Sequence, residues 1–184
     1  PNGYASEVIG KNNRDIVRPI ADQVVVGYFG HLTSQWINWP FVFRLSQVEK
    51  VKIEVIGNGV WPGLLKEFRR YGITYHGIVP VDQLHRYVRS WHFGLVPFKT
   101  RLLSSSADPI KVYEYIYYGL TCLVTGVPHL KEYPNCLFFE DDETPGYRFL
   151  FDHYRLSDKA ETDRFLQANT WEKQFDKLFA SALR

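Results

Sequence analysis

Between residues 23 and 140 the chain alternates two hydrophobic rhythms. Short, nearly continuous apolar runs read as strands: QVVVGYF (23–29), KIEVIG (52–57), ITYHG (73–77), HFGLVPF (92–98), LTCLVTG (120–126) and CLFFE (136–140). They are rich in β-branched and aromatic residues, as strands are. Between them, apolar positions recur at helical spacing over about 36–49, 61–71, 81–90 and 109–118. Apolar strands separated by helices predict a parallel sheet covered on both faces. The expected fold is therefore α/β, a doubly wound parallel sheet, and such sheets bind ligands at the C-terminal ends of their strands. From about residue 144 the pattern is helical, ending in WEKQFDKLFASAL (171–183) with Trp171, Phe175, Leu178 and Phe179 on one side. Residues 1–22 lack the alternation and read as a connector ahead of one domain over 23–184.

Composition narrows the partners. A chain of 184 residues, 45% hydrophobic and 23% charged, suits one globular domain with a substantial core. A formal charge of +2 does not supply the basic face of a nucleic-acid binder, so no such partner is expected. No apolar run reaches the roughly 18 residues of a membrane span. The first twenty residues are polar and broken by Pro19, so no signal peptide is expected and the cytoplasm is the expected location. Cys122 and Cys136 lie in apolar runs and read as small core residues rather than a disulfide. Six histidines (31, 76, 85, 92, 129 and 153) show no HExxH spacing and no cysteine partners. No metal and no other cofactor is expected. The chain opens on Pro1-Asn2-Gly3 and contains no methionine, which reads as a segment that begins in mid-protein.

The candidate chemistry concentrates in DPIKVYEYIYYG (108–119). Asp108 suits a helix N-cap and Pro109 the first helical position. Lys111 then falls in the first turn, where the helix dipole is already positive. At about 100° per residue, Val112, Tyr113, Ile116 and Tyr117 share a buried face, with Lys111, Glu114 and Tyr118 opposite. The plain reading is a solvated Lys–Glu pair, which contributes only about 0.2–0.5 kcal/mol and is weaker in this order. The functional reading is an anion held jointly by the helix amides and the ammonium. Local physics leaves the two readings level. Gly27 and Gly30 bracket the end of the first strand, and His31-Leu32-Thr33-Ser34 leads into the next helix. A glycine there admits a ligand to the backbone, and Thr33 or Ser34 suits a cap or a phosphate contact. GYFG is not GxGxxG, so a dinucleotide site is poorly supported, and a simple tight turn explains it equally well. Lys99 and Arg101 lie in a Ser-rich loop, a solvated loop being the plainer reading beside an acceptor or membrane-surface contact.

Taken together and in order, these segments resemble the C-terminal half of GT-B glycosyltransferases of the large "group 1" family, which act on nucleotide sugars. The matching stretches are PNGY at the start, YFG (28–30), VIGNG (55–59), ITYHGIVPVDQLHRYV (73–88), VPF (96–98), a closing Thr-Trp helix and, most specifically, PIKVYEYIYYG (109–119). The resemblance spans essentially all 184 residues. It implies a Rossmann-like donor domain of a transferase, with residues 1–22 as the hinge segment. Glu114 would bind the ribose hydroxyls and Lys111 the diphosphate, as the two residues closest to the chemistry. Backbone groups of Gly77, Ile78 and Val79 would hold the base, with Gly30 and His31 near the phosphates and Ser106, Asp108 and Ile110 completing the donor site. Many retaining members carry a glutamate where this chain has Ser106, and a basic pair where it has His31 and Trp36. The implied partners are a nucleoside-diphosphate sugar and an N-terminal acceptor domain, with peripheral membrane association at the inner face. Residues 1–184 alone are then expected to bind donor without transferring sugar. A nucleotide-sugar epimerase of the same fold, or a binding module without catalysis, are the competing expectations.

Overall fold

The computed structural model describes residues 20, 22–100, 107–154 and 158–182. Six strands, β1 (Val24–Phe29), β2 (Val51–Ile56), β3 (Thr74–Tyr75), β4 (Phe93–Pro97), β5 (Thr121–Thr125) and β6 (Cys136–Phe139), form one sheet in the order β3-β2-β1-β4-β5-β6. Every neighbouring pair is parallel. This is the doubly wound order, in which the strand order reverses between β1 and β4 and leaves a crevice beyond their C-terminal ends. The helices are α1 (Trp39–Ser46), α2 (Pro62–Arg70), α3 (Val81–Val88), α4 (Ile110–Tyr117), α5 (Tyr147–His153), α6 (Lys159–Ala168) and α7 (Trp171–Ala182), with a 3₁₀ turn at Pro128–Glu132.

The period-2 alternation of β1 divides the core. Val24, Val26 and Tyr28 face Phe41, Leu45, Leu64, Phe68 and Leu150 of α1, α2 and α5. Val25 and Phe29 face the opposite layer, built on Leu84, Val88, Val112, Tyr115 and Leu166 of α3, α4 and α6. Two strand glycines fix how closely that second layer approaches. A Cβ on Gly27 would stand 1.9 Å from the Trp91 ring, and one on Gly94 only 2.3 Å from the Tyr115 ring. The aromatic faces therefore occupy the space where side chains of β1 and β4 would otherwise stand. Cys122 and Cys136 are register partners on β5 and β6, both free thiols.

Some element boundaries differ from the pattern. The first helix starts at Trp39 instead of 36, because Ile37 makes an antiparallel bridge to Phe98 and the Asn38 side chain caps the helix at Phe41 N–H, 3.1 Å. Thr33 accepts from Gln35 N–H within its own turn, so neither Thr33 nor Ser34 is the cap. The third strand shrinks to Thr74–Tyr75. The α4 face also needs correction. Tyr118, expected on the exposed side, is buried, and so are Tyr115 and Tyr117, because this helix packs against the sheet and against further layers around it. The connector expected over 1–22 falls almost wholly outside the described residues. Among the described residues no helix is long and apolar enough to cross a membrane.

Candidate functional site

At the C-terminal edge of the sheet three turns are tied in series. Gly30 N–H donates to Ile56 carbonyl (2.9 Å), Leu32 N–H to Asn58 carbonyl (2.8 Å), and Gly57 N–H to Gly77 carbonyl (2.8 Å). The Tyr75 hydroxyl donates to the Gly57 carbonyl at 2.7 Å. Gly57 has φ of +151°, and a Cβ there would overlap the Gly30 carbonyl at 1.7 Å. Only glycine permits the turns after β1 and β2 to lie this close. The result is a continuous backbone rim running from β1 to β3.

The floor of the crevice comes from α4. Strands β1 and β4 share register only at Val26↔Phe93 and Gly27↔Gly94. Beyond that, Phe29 N–H donates to the Tyr115 hydroxyl at 3.3 Å. One tyrosine of α4 thus fills the gap where the two strands part.

Lys111 rises from the first turn of α4 onto the rim. Where a Gly30 Cβ would stand, Cε of Lys111 lies 2.4 Å away and Nζ 2.7 Å away. The ammonium also sits 5.7 Å from the centroid of the Tyr28 ring, within reach of a cation–π attraction. Lys111 and Glu114 are both half-buried, yet no ion pair joins them among the described residues. Burial holds the Lys111 amine below the ordinary lysine range, and the nearby Glu114 charge recovers only part of that. Burial likewise pushes the Glu114 carboxyl up, against the pull of Lys111. Two charges that are desolvated and not directly paired, in a crevice, are the electrostatic mark of a binding site.

The cap of α4 is not Asp108. The cap position is Pro109, in extended backbone, and no side chain caps this eight-residue helix. Asp108 instead accepts the Tyr113 hydroxyl at 3.0 Å on both carboxylate oxygens, with the Tyr133 hydroxyl 3.5 Å from one of them. Tyr113, one turn along, reaches back and turns the carboxylate toward the 3₁₀ turn. The Val112 amide donates to the Pro109 carbonyl at 3.0 Å, and among the described residues no cap side chain meets the first turn of α4, where a helix start favours an anion.

Of the residues singled out from sequence, Gly30 meets Lys111, His31 follows Gly30 and Glu114 lies near enough to Lys111 to interact with it, while Ile110 is exposed at the start of α4. His31 is exposed, and its Nδ1 lies 2.9 Å from Asn58 Oδ1. Gly77 has φ of +76° and open space beyond it, while Ile78 is 75% exposed and Val79 packs on the core. These three line the outer edge of the rim. Asp108 is turned aside, and Ser106 and Arg101 lie outside the described residues. Sequence reasoning assigned no role to Tyr28, Asn58 and Tyr115. Asn58 was legible as the residue between two glycines in VIGNG, whereas Tyr115 was hidden among four tyrosines of similar spacing.

An open parallel sheet of this order, with helices on both faces, defines a Rossmann-like fold. Solved glycosyltransferases share the fold. Sucrose-phosphate synthase from Thermosynechococcus elongatus superposes with a TM-score of 0.64 at 14% identity, over 99% of this chain and 50% of its own. AviGT4, a glycosyltransferase of avilamycin A biosynthesis, gives 0.63 at 14% identity over 88% and 51%. HepE from Anabaena, in complex with UDP-glucose, gives 0.61 at 12% identity over 88% and 49%. The chain spans about half the length of these structures. No protein-family profile and no curated sequence matches it.

Proposed function

We propose that the chain is the donor-binding half of a glycosyltransferase, holding a nucleoside-diphosphate sugar in the crevice between β1 and α4. The observation that carries this reading is the Lys111 ammonium, half-buried on Gly30 beside an uncapped helix start. The diphosphate lies against Lys111 and the α4 amides, the ribose hydroxyls donate to Glu114, and the rim at Gly77–Val79 faces the base. Ile110 and the segment holding Ser106 and Asp108 border the sugar. In the transfer step the bond from the anomeric carbon to the diphosphate oxygen breaks, a bond to the acceptor oxygen forms, and the acceptor hydroxyl gives its proton to a base on the acceptor side or to the departing diphosphate. The ammonium and amides stabilise the charge that grows on the leaving diphosphate, so no metal is required. The acceptor site belongs to a further domain of the enzyme, and residues 1–184 alone bind donor without turnover. That enzyme is a cytoplasmic hexosyltransferase, peripheral at the inner membrane face. HepE, whose structure contains UDP-glucose, and the half-length match of all three structures support the reading.

Calorimetric titration with UDP, GDP, ADP and dTDP, each beside its free nucleoside and in EDTA, tests it. One diphosphate is expected to bind well above its nucleoside. Lys111→Ala is expected to weaken that diphosphate about tenfold or more, with little effect on the nucleoside. The loss should shrink at high salt as the contact is screened. Equal losses for nucleoside and diphosphate would remove Lys111 from the site.

A further inference from the structure

On one flank of Gly30 the rim carries the amine of Lys111. On the other flank stands His31, and Asn58 holds both its ring and the backbone of the next residue. The Asn58 carbonyl accepts Leu32 N–H at 2.8 Å, and its side-chain oxygen lies 2.9 Å from His31 Nδ1. The ring edge rests on Gly59, where φ is +81° and a Cβ would stand 2.5 Å from Cε1. An amide oxygen only accepts, so Nδ1 keeps its proton in both charge states of the ring. Nε2 then bears a lone pair when His31 is neutral and an N–H when it is protonated. Against a phosphate oxygen the first state sets two acceptors face to face, while the second makes a charge-assisted hydrogen bond.

We propose, resting on the donor-site reading above, that His31 is a proton-dependent contact for the diphosphate and that Asn58 is the positioning residue that makes it so. Among the described residues, these groups lie on the elements around the imidazole. Asn58 is neutral, the Tyr28 hydroxyl donates to the His31 carbonyl at 3.0 Å, and α4 contributes Lys111 with Glu114 one turn on. No carboxylate pairs with the ring among the described residues. A phosphate oxygen that accepts from Nε2–H favours the protonated ring, so donor affinity is expected to be higher at low pH and to fall as pH rises.

The test is calorimetry on the 184-residue chain with the glucose esters of UDP, GDP, ADP and dTDP as probes, from about pH 5.5 to about pH 8. An esterified diphosphate keeps constant charge there, whereas a terminal phosphate titrates near about pH 6 and would mask the effect. Wild-type affinity for the preferred probe is expected to fall about tenfold across the range at low salt. His31→Gln should be flat at the high-pH value, and His31→Lys flat near the low-pH value. Asn58→Asp should move the fall to higher pH, because a carboxylate favours the imidazolium; a merely structural contact would not move it. A wild-type affinity independent of pH, with Lys111 still required, overturns the role of His31 and leaves the donor site standing. Failure of all four probes to bind at any pH overturns the donor site and this proposal with it.

Discussion

A methyl group on Gly30 would push against Cε of Lys111, so two residues far apart in sequence share one small space. The lysine that fills that space does so at a cost to the empty protein. Burial depresses the Lys111 pKa and raises that of Glu114, each only partly offset by the other. For Lys111 the penalty is present at neutral pH and fades as pH climbs from the folded value toward that of an unfolded lysine. For Glu114 it is present above the folded value and fades as pH drops from there toward that of an unfolded carboxyl. Lys111→Met and Glu114→Gln should therefore each raise the melting temperature at pH 7, where about 1 kcal/mol corresponds to about 2–4 °C at this size. Lys111→Met should lose the diphosphate, and Glu114→Gln the preference for a ribonucleotide over its 2′-deoxy form. Scanning calorimetry showing neither variant stabilised would return the pair to a solvated helix face.

At the scale of elements, a buried carboxylate on β2 joins the sheet to its flanking layer. Glu54, 7% exposed, accepts from Lys52 Nζ (2.7 Å) and Trp91 Nε1 (3.0 Å), with His76 Nε2 at 3.2 Å. Burial pushes its carboxyl up, but the Lys52 and Trp91 hydrogen bonds and the Lys52 and His76 charges outweigh that and hold it below the usual value. A depressed carboxyl contributes stability that is complete above its unfolded pKa, near 4.5, and is lost as pH falls through the folded one. Glu54→Leu should cost about 1–3 kcal/mol at pH 7, the price of a buried indole N–H left without an acceptor. It should also flatten the acid limb of the stability curve, read by urea denaturation at stepped pH. Within KIEVIG only Lys52 was in view, two residues away on the same strand face; Trp91 and His76, from the turn before β4 and the residue after β3, were not legible there. The strands and helices themselves were legible, since their periodicities are local. The cap of α4 was misread for a related reason: Tyr113 competes for Asp108, and the tertiary contact outweighs the cap preference.

Across the whole molecule, the crevice is assembled from two stretches of chain that meet only in the folded state. Gly30, His31, Asn58 and Gly77 come from the β1–β3 side, and Lys111, Glu114 and Tyr115 from α4. The order of the sheet was legible as a class; periodicity alone did not bring Gly30 to Lys111, which depends on β4 crossing to the far side of β1, and only the family resemblance put both beside the diphosphate. The periphery is built differently. On α7, Phe175 and Phe179 remain 54% and 67% exposed, and none of the crevice contacts described above involves this helix.

The wedge of Tyr115 between β1 and β4 gives this arrangement a dynamic consequence. A ligand bound across the gap acts as a staple, because every partial opening that parts α4 from β1 must first release it. Such openings become rarer by the full binding term, about 2.7 kcal/mol at a ligand concentration a hundredfold above Kd. Fraying of α7 leaves the staple in place and gains nothing. Native-state hydrogen exchange with saturating diphosphate should therefore slow the Phe29 amide, which donates to the tyrosine, by about a hundredfold. Amides of α7 should exchange at unchanged rates. Uniform slowing of both would mean that the crevice parts only when the whole domain unfolds, and equal indifference that the ligand sits elsewhere.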